Sequence, residues 1–418
     1  MMKKQHVMLV AAALSGCAQQ QGPPAAPAPT VSAPPATAAV PLPVLRDASP
    51  SDAGMRANLN AVLDSIMKVG IAEGAAPGGS LIVGRYGNVV HRNGYGRLDT
   101  LSTSAAVDAN SIYDLASLTK VIATTTAAMM LEEQGLLDLD RTVASYIPEF
   151  NAPDKATITV RHLITHQGGL EAFAALYRDT KGLQEYLVKI NSRPVRSAPG
   201  TSMVYSDWDL ILLQAIVERL SGMTLDRFTT ERIFAPLGMK STMYNPDSAT
   251  YWHRIAPTEI DSVRGGLVVG KVHDENAHAI GGVAGHAGLF STANDLAIFA
   301  QMMLNGGEYA GTRILKPATI ARWTAPQGRI SSRALGWDTP SKGSSSGRFF
   351  SSRSFGHTGF TGTSIWVDPE RSLFVILLTN RVNPTRNSTR VFPLRRDVAD
   401  AAQSSILDAP LINWEASR

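Results

Sequence analysis

The chain holds one cysteine, Cys17, among 418 residues. A single thiol near the start of the chain builds no internal disulfide, and it leaves the folded part without a cysteine nucleophile or a thiolate metal site. Charge is scarce and nearly balanced: 39 Lys and Arg stand against 35 Asp and Glu, for a net of +4. The basic residues are scattered rather than gathered in a stripe, and no nucleic-acid motif accompanies them, which argues against a nucleic-acid partner. The first apolar run, Val7 to Gly16, is too short to span a bilayer. No Gly-x-Ser-x-Gly elbow stands between a strand and a helix, and no Walker-type loop occurs, so α/β-hydrolase and phosphate-binding chemistry lack support. The 44% of hydrophobic residues suffices for one large domain or two lobes.

The start of the chain reads as a targeting segment. Lys3 and Lys4 precede the apolar run, and Leu14-Ser15-Gly16-Cys17 closes it. This resembles a bacterial lipoprotein signal, which implies removal of the first residues and a lipid on Cys17; a plain secretory peptide is the alternative. Residues 18–50 are rich in Pro, Ala and Gln without apolar periodicity and read as a disordered tether. The expected place is the cell envelope, facing the periplasm on the outer membrane, with a secreted or soluble periplasmic state as the alternative.

From residue 51 onward the pattern is that of a folded domain. Ser51-Asp52 can cap a helix carrying Leu59, Val62, Leu63, Ile66 and Met67. Gly79–Gly84 and Asn88–His91 read as strands joined at Tyr86-Gly87, and Gly362–Val367 with Leu373–Leu378 as a second pair. A last helix is expected from about Asn387 to Leu407. Strands at both ends and helical pattern between them predict an α+β fold: an antiparallel sheet from about 51–115 and 288–418, with a helical lobe at about 116–287. Ser341–Gly347 reads as a flexible surface loop.

Ser-x-x-Lys occurs twice, as Ser65/Lys68 and Ser117/Lys120. Ser65 lies inside the first helix, with Lys68 on its polar side. Ser117 stands where Tyr113-Asp-Leu-Ala turns into a buried helix. There Lys120 reaches back to it, and free N–H groups favour negative charge on the attacking oxygen. A helix-capping serine is the plainer reading. Tyr205, in Tyr205-Ser206-Asp207, sits at a loop-to-helix junction where a phenol beside a cation can act as a base; a Ser206-Asp207 cap beside a core tyrosine fits equally. Phe355-Gly-His-Thr-Gly-Phe360 leads into a strand whose glycines allow close approach of a substrate. His357 and Thr358 are candidate contacts there, and the Phe360 N–H is a candidate oxyanion donor.

In this order, Ser117-Leu-Thr-Lys120, Tyr205-Ser-Asp207 and His357-Thr-Gly359 resemble the serine β-lactamase and penicillin-binding-protein superfamily, in its class C β-lactamase-like branch. That branch also holds family VIII esterases and D-alanyl-D-alanine carboxypeptidase-like enzymes. The resemblance spans about residues 55–405, with support from Val160–His166, Pro236–Met239 and Gly288–Asp295. It implies acylation of Ser117, proton movement by Tyr205 and Lys120, and an oxyanion held by the N–H groups of Ser117 and Phe360. A narrower likeness in Ile255–Glu259, Val272–Ala277 and Gly281–Gly288 implies a peptidoglycan-related acyl substrate. Two departures stand out. Asp207 replaces the usual Asn and is expected to repel a substrate carboxylate, and His357 replaces Lys and weakens an anion site. Both favour an ester or an unusual amide. No cofactor is expected. His273, Asp274, Glu275, His278 and His286 lack the spacing of a helical metal pair and read as a loop bordering the site. Asn276 is a candidate substrate contact, and His162 and His166 read as satisfied helix histidines. The alternative from another class is a binder or sensor of peptidoglycan fragments or β-lactams, although binding alone does not need Ser117, Lys120 and Tyr205 together.

Overall fold

The computed structural model describes residues 42–328 and 330–413. Cys17, the targeting segment and most of the tether lie outside the described residues.

The hydrophobic pattern builds two layers about one sheet. The strands are β1 (Arg46–Asp47), β2 (Gly78–Arg85), β3 (Asn88–Gly96), β4 (Phe355–Thr358), β5 (Ser364–Asp368) and β6 (Leu373–Thr379). Their order is β1-β3-β2-β6-β5-β4. Only the β1–β3 pairing is parallel, so the two ends of the chain meet between β2 and β6, as the strand pattern predicts. Tyr86 and Gly87 both take positive φ (55° and 78°), the conformation a two-residue hairpin turn requires.

β6 shows how alternation sorts side chains. Leu373, Val375 and Leu377 face a core formed with α1 (Leu59–Ala72) and the last helix, Val391–Ser404. Phe374, Ile376 and Leu378 face the opposite core, which continues into the helical lobe. Each such side chain stabilises the fold by about 1.5–3 kcal/mol on burial. The lobe is organised by a helical stretch from Lys120 to Glu133, whose first turns (Lys120–Thr125) are widened to π geometry, and by the helix Asp207–Ser221 packed against it.

Four expectations are corrected. Regular structure is present before residue 51: Arg46–Asp47 pairs with Asn88–Val89, so the end of the expected tether is part of the sheet. Ser51-Asp52 does not cap α1. Instead Ser49 and Asp52 form a capping box on a short 3-10 turn, Pro50–Ala53, and α1 starts at Leu59. The last helix is shorter than drawn, Val391–Ser404 rather than Asn387–Leu407. Ser341–Gly347 is irregular but not all surface: Ser346 is buried, and Gly347 lies so close to Asp400 that a Cβ there would meet its Oδ1 at 2.3 Å. The letters Gly-x-Ser-x-Gly at Gly343–Gly347 thus fall in a loop with no strand-to-helix turn. Among the described residues no helix is long and apolar enough to cross a membrane.

Candidate active site

Ser117 stands apart from its neighbours. It is half-buried, whereas Ile112–Ala116 and Leu118–Met129 are all buried. Ala116 holds a positive φ of 46°, which a residue with a Cβ adopts at a cost of about 1–3 kcal/mol. Ser65 and Lys68, by contrast, are both exposed on α1, so the second Ser-x-x-Lys is a solvated helix face.

Lys120 is 1% exposed and spends its ammonium on three acceptors: Ser117 Oγ at 3.0 Å, Asp207 Oδ1 at 2.8 Å and the His286 carbonyl at 3.1 Å. Burial opposes the charge, but the Asp207 carboxylate and the Tyr205 phenol outweigh it and raise the lysine above its usual pKa. Held as an ammonium by the Asp207 carboxylate, the nitrogen has no lone pair, and its three hydrogens meet these three acceptors.

Tyr205 joins this pair. Lys120 Nζ lies 4.8 Å from its ring centre, and Tyr205 and Ser117 together line two cavities. The phenol oxygen is buried and has no hydrogen-bond partner among the described residues. Behind the ring, His166 packs at 4.5 Å, its Nδ1 accepting from the Ser206 N–H and lying 2.9 Å from Asp209 Oδ2. Burial drives His166 well below and Asp209 well above their usual values. His162 Nδ1 accepts from the Thr159 N–H. Both histidines are satisfied within the lobe.

One cavity, about 340 Å³, lies toward β4. Gly359 admits no side chain, since a Cβ would meet Thr363 Oγ1 at 2.2 Å and the Leu115 carbonyl at 2.4 Å. The loop after it is clamped by two buried arginines. Arg395 donates to the carbonyls of Gly359 (2.7 Å) and Thr363 (2.8 Å), and Arg381 Nε to that of Phe360 (2.7 Å). The Phe360 N–H, like that of Ser117, has no partner among the described residues. Thr358 is half-buried at the cavity wall.

His357 is buried. Its Nδ1 donates to the Thr358 carbonyl at 2.8 Å and its Nε2 accepts from Arg333 at 3.4 Å. Burial, then the charges of Arg333 and Lys120, hold it neutral, so it is not a cation offered to substrate. That charge comes from residues the motifs do not contain. Arg333 stacks on Tyr205 at 5.0 Å, and its nearest carboxylate, Asp338, is 4.0 Å away. Arg381 and Arg395 have no carboxylate partner among the described residues. Among the described residues, three arginines and no acidic side chain line this cavity. Asp207 is paired with Lys120 and lines the other cavity, while Arg333 places a cation beside the neutral His357.

The other cavity, about 300 Å³, carries Ser117, Tyr205 and Asp207 toward Asp274, Glu275 and His286. The expected loop is in part a helix, Glu275–Ile280; His286 Nε2 pairs with Asp274 Oδ1 at 2.9 Å, while His273, Glu259, Arg386 and Glu275 form one chain, with His273 Nε2 3.0 Å from Glu259 and Arg386 bridging Glu259 (2.5 Å) and Glu275 (2.8 Å). Burial raises Asp274, but the His286 imidazole outweighs it and holds the acid low. Asp207, Asp274 and His286 bring ligand-type atoms within 4.8 Å of one another, a cluster whose charge Lys120 already meets. Asn276 is misplaced by the sequence reading. It is fully buried, accepts from the Tyr177 N–H (3.0 Å) and Tyr186 Oη (2.9 Å), and donates to the Ala174 carbonyl (3.0 Å), so its amide braces the lobe.

The beta-lactamase family pattern matches residues 23–400. The chain is 32% identical over 376 residues to an Escherichia coli (strain K12) protein named "Putative D-alanyl-D-alanine carboxypeptidase", covering 81% of this chain and 86% of that one. It is 35% identical over 359 residues to an N-acetylmuramyl-L-alanine amidase of Bacillus subtilis (strain 168), covering 76% and 80%. Among solved structures, a penicillin-binding protein homolog from Caulobacter crescentus superposes with a TM-score of 0.67 at 23% identity, over 84% of this chain and 99% of that one. EstCE1, a hydrolase with promiscuous acyltransferase activity, gives 0.65 at 21%, over 83% and 98%. At these identities the likeness is one of fold.

Proposed function

Because this chain belongs to the beta-lactamase family and is a serine hydrolase, we propose that it works through an acyl-enzyme on Ser117 and hydrolyses an amide that carries a nearby negative charge. The observation that carries this reading is the saturation of Lys120 by Ser117, Asp207 and the His286 carbonyl. An ammonium without a lone pair orients Ser117 but takes no proton from it. The buried Tyr205 oxygen, unpartnered in the same cavities, is the acceptor. Ser117 Oγ attacks the acyl carbon as its proton passes to Tyr205, which enters the step as a phenolate whose charge the Lys120 ammonium, 4.8 Å from the ring centre, offsets. The N–H groups of Ser117 and Phe360 hold the oxyanion. Tyr205 returns the proton to the leaving nitrogen, and a water then repeats the cycle on the ester so formed.

The arginine-lined cavity supports an anionic substrate group there, and the carboxypeptidase and amidase names of the relatives agree with amide chemistry at the cell wall. The same proposal keeps an envelope location with a lipid on Cys17. The direct test uses a chromogenic anilide of an acylated amino acid. Turnover by the wild type that vanishes in Ser117→Ala supports the hydrolase, and equal residual rates in both overturn it.

A further inference from the structure

Release of the acyl group requires a water that the acylation step does not hold. Ser117 Oγ is fixed by its own backbone and by Lys120 at 3.0 Å, whereas a water has no tether and is oriented only by the groups around it. Three acids line the cavity that Ser117 shares with Tyr205: Asp207, Asp274 and Glu275. Asp207 is tied to Lys120 and Glu275 to Arg386. Asp274 has no lysine or arginine partner among the described residues.

Asp274 is held from two sides through one oxygen. It caps the helix Glu275–Ile280, its Oδ1 accepting from the Ala277 N–H at 2.7 Å, and the same oxygen lies 2.9 Å from His286 Nε2. Oδ2 has no partner among the described residues, and the side chain, 23% exposed, lines the cavity. Helix capping alone does not account for His286. That side chain is 1% exposed, its Nδ1 is buried without a partner, and its backbone carbonyl accepts from Lys120 Nζ at 3.1 Å. A capping carboxylate needs no buried imidazole behind it, and the orphaned nitrogen costs about 1–3 kcal/mol. What the imidazole does is fix the carboxylate and tie it to the segment that holds Lys120. Ligand-type atoms of Asp207, Asp274 and His286 fall within 4.8 Å of one another. One water bonded at about 2.8 Å on each side spans about 4.5 Å, so Asp274 stands one water away from the carboxylate paired with Lys120.

We infer that Asp274 holds the water that hydrolyses the acyl-enzyme, with His286 as its positioning residue. The inference rests on the acyl-enzyme reading and assigns the water of its second half. The water donates one hydrogen bond to Asp274 Oδ2 and turns its other hydrogen to the Tyr205 phenolate. Its oxygen bonds to the acyl carbon as that second proton passes to Tyr205. The bond from Ser117 Oγ to carbon then breaks, and Oγ recovers the proton from Tyr205. The acid leaves with the hydrogen that Asp274 held.

The test uses a p-nitrophenyl ester of an acylated amino acid, an activated donor that makes acylation fast. Nitrophenol release in a single turnover reports acylation, and the steady state reports deacylation. In Asp274→Asn the single-turnover rate is expected to stay within about threefold of wild type, while the steady-state rate falls at least about tenfold further. Intact-protein mass spectrometry is then expected to find the acyl adduct on most of the variant. Asp274→Ser keeps a capping oxygen for the Ala277 N–H but has no Oδ2, and the same split is expected there. Hydroxylamine, a stronger nucleophile than water, is expected to restore turnover in both variants. Single-turnover and steady-state rates that change by a common factor, or differ by less than about tenfold, overturn the inference and leave the hydrolase reading intact. A wild type without Ser117-dependent release removes the hydrolase reading and this inference with it.

Discussion

Replacing Asp207 with Asn removes one charge and little else. The Lys120–Asp207 pair, 2.8 Å apart, gains about 6 kcal/mol of Coulomb energy at an effective dielectric constant near 20. Most of that offsets the cost of burying both ions, but removing one partner of a buried pair typically costs about 3–5 kcal/mol. Asparagine keeps an oxygen that can accept from Nζ, which places the expected loss near the lower end, about 3 kcal/mol, or roughly 5 °C in Tm for a domain of this size. The pH dependence carries the sharper signature. In the wild type Lys120 titrates above its unfolded value, so its contribution is complete below the unfolded lysine pKa of about 10.4 and is lost only as pH rises through the folded pKa. In the variant the burial effect remains without the carboxylate, so the folded pKa drops below the unfolded one. A penalty then stands at neutral pH and is relieved as pH rises. Thermal melts from pH 6 to 10 are therefore expected to show a Tm gap between the two proteins that narrows with pH, and the alkaline limb of kcat/KM is expected to move to lower pH. A gap that stays constant with pH, or a variant as stable as the wild type, refutes the reasoning.

Arg395→Gln frees the Gly359 and Thr363 carbonyls and loosens the loop that presents the Phe360 N–H; kcat on the anilide is expected to fall by roughly 10–100-fold with a smaller change in KM, in steady-state kinetics. Gly359→Ala drives a methyl into the Leu115 carbonyl and is expected to destabilise by about 1–3 kcal/mol in urea titrations. Burial lowers His91 to about 4 and holds His166 and His357 well below their usual value. The unfolded chain therefore binds more protons than the fold below pH 6.5, and stability is lost as pH falls. At pH 5 the His91 imidazole alone costs about 2 kcal/mol; His166 and His357 act in the same direction, and Asp209, whose raised pKa has the opposite sign, partly offsets them. A urea midpoint that stays level between pH 7 and 5 contradicts this.

What the sequence made legible has a common cause: it depends on neighbours in the chain. Alternation in Leu373–Leu378 and a glycine after Tyr86 suffice to place β6 and the β2–β3 hairpin, and burial around Ser117 separates it from Ser65. What stayed hidden depends on partners far apart. Arg333, Arg381 and Arg395 belong to no motif, and only the fold brings them to one cavity. Asn276 looked available because nothing in its surroundings along the chain reveals that Tyr177 and Tyr186 take its oxygen. The role of Ser51-Asp52 was misjudged by a shift of two residues, since Ser49 is as good a cap as Ser51 and the choice lies in backbone geometry.

The central claim is a covalent bond to one serine oxygen. Intact-protein mass spectrometry after rapid quenching with a slowly hydrolysed acyl donor measures it directly. The account predicts one acyl adduct in the wild type, mapped by peptide digestion to Ser117, retained in Ser65→Ala and absent in Ser117→Ala. An adduct of equal yield in Ser117→Ala, or continued turnover of a stable acyl donor with no adduct on the wild type, contradicts it.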